Sequence, residues 1–266
     1  MKKYIKLCLV FNILWLTISC GPDRKKYVKT PIDNIITEYM NVPNYSVILA
    51  DMNYRETTDE YFHKYKIIII KKNNTESVED DFDVKLTDWK KVSDITFDDY
   101  QNDLGMTILS KKDGVLNKKS KPAGYDNYVG NPKYGRWQTN SSGSSFWAFY
   151  GQYAFMRSLL GWGSGMHYYR NDYDYYRRNY YGSSNYYGRS TNYGTSSKYN
   201  KNTSWNQKPK SFKDQVRGNV SRSATAKKGS GYSSSRSYGS PFKTDRNSSR
   251  YNSYGSSRSR SGGYGK

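Results

Sequence analysis

The residue types that most often perform chemistry in proteins are scarce in this chain. Its two histidines, His63 and His167, are far apart, and neither stands beside a second ligand at the spacing of a metal site. The chain also contains no Gly-x-Ser-x-Gly elbow and no glycine-rich phosphate-binding motif. The sequence therefore predicts no catalytic residue, no metal ligand and no cofactor.

Carboxylates form two groups that could bind calcium or hydrolyse a polymer. The first group contains Glu76, Glu79, Asp80, Asp81 and Asp83, and the second contains Asp98, Asp99 and Asp103. Neither group has the alternating acids and central glycine of a calcium loop, so solvated acidic loops are expected. The basic tail of the chain is an alternative partner for these acids. A carboxylate pair alone can serve glycoside hydrolysis, which keeps a cell-wall polymer hydrolase as an alternative function.

Large aromatic residues in the middle of the chain could form a flat binding platform. The candidates are Tyr134, Trp137, Trp147 and Trp162. Flat apolar faces with polar rims suit sugar rings and nucleobases. Aromatic residues in such turn-rich segments are also commonly core residues, so a platform and a packed core are both open.

The C-terminal end of the chain alternates basic residues with tyrosine, glycine and serine, within a chain of net charge +20. Its candidate polyanion-binding residues are Arg217, Arg222, Lys227, Lys228, Arg236, Arg246, Arg250, Arg258 and Arg260. This composition is typical of segments in which arginine meets phosphates and tyrosine stacks on bases. A flexible polycation also binds anionic lipids and polymers through charge alone.

The N-terminus has the order of a secretory signal. Lys2, Lys3 and Lys6 precede an apolar stretch that is too short for a comfortable transmembrane helix. The segment Leu16-Thr17-Ile18-Ser19-Cys20-Gly21 resembles the lipobox of bacterial lipoproteins. This resemblance implies that residues 1–19 are removed as a signal peptide and that Cys20 carries the lipid. The alternative is an ordinary secretory signal or an uncleaved anchor.

Residues 30–120 have the pattern of a folded domain, preceded by a linker at 20–29. Thr30 and Pro31 are typical of a helix N-cap and first helical position. Residues 45–52 and 61–70 predict an antiparallel pair of strands. We therefore expect a small N-terminal α+β domain. Further core candidates are Val84, Leu86, Trp89, Val92, Ile95 and Phe97.

The rest of the chain divides into two segments. Residues 121–167 are rich in aromatic residues and glycine and contain an apolar block at 146–162, which we expect to complete the core or, alternatively, to dock on a membrane or partner. Residues 168–266 form a low-complexity segment of tyrosine, glycine, serine and arginine. Because this segment has few aliphatic residues to offset chain entropy, we expect it to be disordered.

These patterns favour a non-enzymatic protein of the cell envelope. The lipid on Cys20 would anchor it in the cell membrane or outer membrane after export from the cytoplasm. The cationic tail would adhere to anionic envelope polymers or lipids and so tether two layers. The alternative is an extracytoplasmic protein that binds nucleic acid through the same tail.

Overall fold

The computed structural model describes residues 26–71, 81–161, 166–190, 192–234 and 236. The strands are β1 (Lys26–Val28), β2 (Tyr45–Arg55), β3 (Glu60–Lys71), β4 (Asp81–Leu86), β5 (Lys90–Val92), β6 (Met106–Lys112), β7 (Val115–Asn117), β8 (Lys121–Pro122), β9 (Gly135–Thr139), β10 (Ser145–Phe149) and β11 (Tyr232–Ser234). The helices are α1 (Pro31–Glu38), α2 (Asp94–Tyr100), α3 (Met156–Leu159), α4 (Arg170–Asn179), α5 (Ser204–Gln207) and α6 (Lys210–Gly229), with 3₁₀ turns at Gly151–Tyr153 and Lys198–Asn200. The predicted signal peptide at 1–19, Cys20 and residues 237–266 lie outside these ranges.

Helix α1 begins where the sequence predicts it. The Thr30 backbone N–H donates to Asp33 Oδ2 at 2.8 Å, and the Asp33 N–H donates to Thr30 Oγ1 at 3.4 Å, which closes a reciprocal cap. Ile32, Ile35 and Ile36 recur at helical spacing and are buried against the sheet.

The centre of the molecule is a seven-stranded sheet, ordered β4-β3-β2-β6-β7, with β5 also paired to β3 and β8 to β6. All of these pairings are antiparallel. Strands β2 and β3 run antiparallel with Tyr45 opposite Ile69, so the predicted strand pair is confirmed. The α+β class of the chain is confirmed as well.

Both faces of this sheet are covered, which explains the run of four isoleucines in β3. Successive strand residues point to opposite faces. Ile67 and Ile69 pack into the core beneath the helices, whereas Ile68 and Ile70 pack into a second core on the other face. A strand that is buried on both sides needs apolar residues without alternation.

The first core lies between the sheet and a layer of helices that come from both ends of the chain. Phe97 of α2 contacts Trp205 of α5, with ring centroids 5.4 Å apart. Val216 and Val220 of α6 belong to the same core and are almost completely buried. The C-terminal third of the chain therefore completes the core of residues 30–120.

The second core is aromatic and covers the other face of the sheet. The apolar block at 146–162 contributes Trp147, Tyr153, Met156 and Leu160, which pack with Ile68. The expectation that this block completes the core agrees with these contacts. Trp162 lies outside the described residues.

Three core candidates from the sequence are wrong. Val84, Leu86 and Trp89 are 38%, 54% and 36% exposed. Val84 and Leu86 lie on β4, an edge strand of the sheet, and Trp89 lies in the connection between β4 and β5. By contrast, Val92 and the two apolar residues of α2 that the sequence singled out, Ile95 and Phe97, are buried.

The expected disorder of residues 168–266 is wrong for the part that the structure describes. That segment contains helices α4, α5 and α6 and strand β11. Tyrosine supplies the apolar area that aliphatic residues do not, since Tyr168, Tyr176 and Tyr186 are buried in the aromatic core.

Carboxylates satisfy the hydroxyl groups of these buried tyrosines. Asp172 accepts hydrogen bonds from Tyr125 at 2.8 Å, Tyr186 at 2.6 Å and Tyr193 at 3.3 Å. Tyr176 donates to Asp126 Oδ1 at 2.6 Å. In the tyrosine-rich segment, the rings thus pack in the core while these hydroxyl groups are hydrogen-bonded. A count of aliphatic residues alone does not predict this arrangement.

A candidate anion-binding groove

The cations at the C-terminal end of α6 are ion-paired within the chain. Lys227 Nζ lies 2.8 Å from Asp94 Oδ2, and Lys228 Nζ lies 2.9 Å from Asp98 and 2.8 Å from Asp99. Burial alone would raise the pKa of Asp94, but hydrogen bonds from Lys227 and Ser223 hold it below its ordinary value. The second acidic group therefore meets the basic tail, one of the two interpretations that the sequence left open.

Arg236 is more deeply placed than either lysine. Its Nη1 lies 2.7 Å from Asp103 Oδ2, and its guanidinium lies 4.6 Å from the centre of the Tyr100 ring. Burial alone would lower the pKa of Arg236, yet the Asp103 charge raises it above its ordinary value. Lys227, Lys228 and Arg236 thus stabilise the fold, and the sequence-based assignment of these three residues to a polymer-binding surface does not agree with their contacts.

The remaining predicted cations divide between two places. Arg222 is exposed on α6, where its Nη2 donates to Asn219 Oδ1 at 2.6 Å. Arg217 lines a basic groove beside α6. The tail residues Arg246, Arg250, Arg258 and Arg260, like Cys20, lie outside the described residues.

The aromatic platform is not assembled as predicted. Tyr134 and Trp147 are each 3% exposed and belong to the aromatic core, so their faces are covered. Trp137 is half-buried and meets Trp147 edge to face at 5.1 Å. Burial at the sheet, rather than display on a turn, accounts for these residues.

A basic groove lies between α6 and the segment that precedes it. Its cations are Lys198, Lys201, Lys210, Lys213 and Arg217. The groove has a volume of 410 Å³, and among the described residues that line it Asp214 is the one acid. Asp214 is already paired with Lys210 on the same helix.

Helix geometry brings three of these cations together. Lys210, Lys213 and Arg217 follow one another at spacings of three and four residues, so they share one face of α6. The adjacent face contacts the core through Phe212, Val216 and Val220. The same helix therefore anchors itself with one stripe and presents positive charge with the other.

The floor of the groove is held by hydrogen bonds. Arg217 Nη2 donates to the Gln101 carbonyl at 3.2 Å, and burial lowers the pKa of this guanidinium from its ordinary value. Lys213 Nζ donates to the Asn206 carbonyl at 3.3 Å. Trp205 also lines the groove and is fully buried. Such an arrangement can bind an anion by fixed donors as well as by charge.

Of the five groove cations, the sequence singled out Arg217 alone. Composition pointed to the tail as a whole, and it could not show that Lys198 and Lys201 lie beside α6. A usable signal was present in the spacing of Phe212, Val216 and Val220, which is helical and marks an amphipathic segment.

Two further kinds of candidate site are a metal site and a carboxylate pair for hydrolysis. Within them, no group of three or more histidine, cysteine, aspartate or glutamate side chains could hold a metal ion. Of the acids that could form a hydrolytic pair, Asp98 and Asp99 are both ion-paired with Lys228, whereas Glu76, Glu79 and Asp80 lie outside the described residues. His63 is buried and its Nδ1 lies 3.1 Å from the Tyr65 hydroxyl.

Comparison with known proteins adds no relative. No protein-family model, curated protein or solved structure matches this chain. Over the part of the chain that the structure describes, no helix is both long and apolar enough to cross a bilayer.

Proposed function

We propose that this protein is a non-enzymatic lipoprotein of the bacterial cell envelope that binds anionic envelope material through its cationic C-terminal third. The lipobox-like segment ending at Cys20 supports the anchor. The basic groove supports the binding. The protein would thus hold an anionic polymer or lipid surface close to the membrane that carries its acyl chains.

The groove is the observation that carries this proposal. Five cations converge there on a single acid that is already paired, so the local charge is strongly positive. The cations at the other end of α6 are neutralised by α2, which concentrates the unpaired charge at the groove. A cleft lined by one sign of charge raises the local concentration of its counter-ion.

A matched pair of variants tests the proposal. We expect substitution of four groove lysines by glutamine to weaken binding to polyphosphate and to polyglutamate by about tenfold or more, because each lost ion contact removes binding free energy and lowers the salt dependence of binding. The four residues are Lys198, Lys201, Lys210 and Lys213. The control changes Lys29, Lys90, Arg136 and Arg222, which are exposed outside the groove, and removes the same charge. Equal losses in both variants, or binding of neither polymer by the native protein, would overturn the proposal.

The anchor has its own test. Intact-mass measurement and membrane fractionation of the native protein should show an acylated, membrane-bound chain, and Cys20→Ser should leave it unprocessed or soluble. Two or three acyl chains hold a protein far more firmly than one. A native chain without lipid would remove the anchor from the proposal and leave the binding intact.

The surface around α4 favours a second candidate, the binding of single-stranded nucleic acid. The Arg177 guanidinium lies 3.9 Å from the centre of the Tyr181 ring, and Arg189 lies 5.0 Å from that of Tyr175. Tyr181 is 42% exposed, so part of its side chain is accessible for stacking. This candidate expects tighter binding of single-stranded than duplex DNA and a loss of that preference in Tyr181→Ala.

A further inference from the structure

We infer that the basic groove is built for a phosphate group rather than a carboxylate. This inference rests on the proposed function and names its ligand class. The site would take a phosphate ester, carried either by an envelope polymer or by a lipid headgroup. Three features mark the groove as an oxyanion site, and the different directions of their donors favour a tetrahedral phosphate.

The first feature is a fixed guanidinium at the floor. Gln101 holds Arg217 through Nη2, while Arg217 Nε is buried and has no acceptor among the described residues. The planar donors of arginine match the oxygens of a phosphate or a carboxylate in two parallel hydrogen bonds, so this feature marks an oxyanion site. The four lysines that line the groove add positive charge but do not impose this planar hydrogen-bond geometry.

The second feature is an indole donor that has no acceptor. Trp205 is held at its backbone N–H by Asp51 Oδ1 at 3.2 Å and at its ring by Phe97. Its Nε1 is buried and meets no acceptor within the described part of the chain. A buried donor in this state costs free energy that a ligand oxygen would recover.

The third feature is the N-terminus of α6, a helix of 20 residues. Its N-cap is Pro209, and no side chain caps its first N–H groups. At α5, by contrast, Asp51 Oδ2 accepts from the Ser204 N–H at 2.8 Å. An uncapped helix start carries partial positive charge and N–H donors, which suit an oxyanion. Lys210, the first residue of α6, lines the groove.

The size and lining of the groove fit one phosphorylated unit. A volume of 410 Å³ lies in the range of small-ligand sites. Hydroxyl and amide groups of Thr195, Ser197 and Asn206 complete its lining. A tetrahedral phosphate presents acceptors in several directions, so it can use donors from the floor, the helix start and the lysines together. A planar carboxylate reaches fewer of them.

The test uses the indole signal of Trp205. In the full-length protein labelled with ¹⁵N at tryptophan, inorganic phosphate should shift this signal saturably, and acetate at equal ionic strength should not. Polyphosphate should bind about tenfold more tightly than polyglutamate of equal charge, and Arg217→Lys should weaken the binding of polyphosphate, because the substitution keeps the charge but removes the planar fork. Arg136→Lys, at an exposed position outside the groove, should bind polyphosphate as tightly as the native protein does.

The outcomes separate this inference from the proposed function. If both polymers bind equally and the Trp205 signal responds to neither phosphate nor acetate, the phosphate assignment fails while anion binding stands. If neither polymer binds, both fail. If phosphate selectivity is observed, competition by poly(glycerol phosphate) or by phosphatidylglycerol vesicles identifies the polymer or the headgroup as its source.

Discussion

At the scale of single residues, His63 makes the fold sensitive to mild acid. Burial lowers the pKa of His63 to about 3, whereas an unfolded histidine titrates near 6.5. Between these values the unfolded chain binds a proton that the folded chain does not, so stability falls as the pH drops below about 6.5.

We therefore expect the free energy of unfolding to be about 2 kcal/mol lower at pH 5 than at pH 7. Urea denaturation at the two pH values measures this difference. The variant His63→Phe keeps an aromatic ring among Tyr65, Phe97 and Tyr100 and removes the titrating group. An equally steep pH dependence in that variant would show that another group is responsible.

A second residue-scale prediction concerns the buried ion pair of Lys121 and Asp126. Lys121 Nζ lies 2.5 Å from Asp126 Oδ2, and the two side chains are 0% and 3% exposed. Burial alone would raise the pKa of Asp126, but the Lys121 charge and the hydrogen bonds from Lys121, Ser110 and Tyr176 hold it below its ordinary value.

Removal of one partner leaves the other charge buried alone. Asp126→Asn should destabilise the protein by about 3–5 kcal/mol. The double variant Lys121→Met with Asp126→Asn should lose clearly less than the sum of the two single variants, because no uncompensated charge remains. Urea denaturation of all three variants gives the coupling, and strict additivity would contradict the ion-pair account.

At the scale of elements, two glycines distinguish a helix interior from a tight loop. Gly218 lies within α6 and an added Cβ would meet nothing within 4 Å. Gly194 has a φ of +88°, and an added Cβ would lie 2.3 Å from the Asn102 carbonyl oxygen.

Gly218→Ala should therefore stabilise the protein by about 0.5–1 kcal/mol, because it restricts the unfolded chain and favours the helix. Gly194→Ala should destabilise it by more than about 1 kcal/mol, through strain and collision. Thermal unfolding of the pair checks both signs. A neutral or destabilising Gly218→Ala would mean that α6 is not helical at that position.

The same elements show how far the sequence predicts the fold. Helix α1 and the β2–β3 pair carry local signals, a Thr30 cap and runs of β-branched residues, and they were predicted. Helix α6 was missed because its aliphatic residues are few, although Val216 and Val220 stand one helical turn apart. The groove could not be foreseen, because Lys198 and Lys213 meet only after α5 and α6 have packed on the sheet.

At the scale of the whole molecule, the C-terminal third is part of one folding unit. Helix α6 supplies Val216 and Val220 to the first core, and Lys227 and Lys228 neutralise the carboxylates of α2. Strand β11 pairs in parallel with β1, with Tyr232 opposite Lys26, so the start and end of the described chain lie side by side. Arg236 then closes onto Asp103.

Two truncations test this unity. A chain that ends at residue 236 keeps every described contact. It should unfold in one cooperative transition, with a urea midpoint close to that of the full-length protein. A chain that ends at residue 209 loses α6 and β11, exposes the first core and leaves Asp103, which is completely buried, without Arg236. An uncompensated buried charge and the loss of one face of the core each strongly destabilise the folded state. The shorter chain should therefore lose its near-ultraviolet circular dichroism and its cooperative transition. A cooperative, native-like transition in the shorter chain would instead show that the rest of the chain folds without α6 and β11.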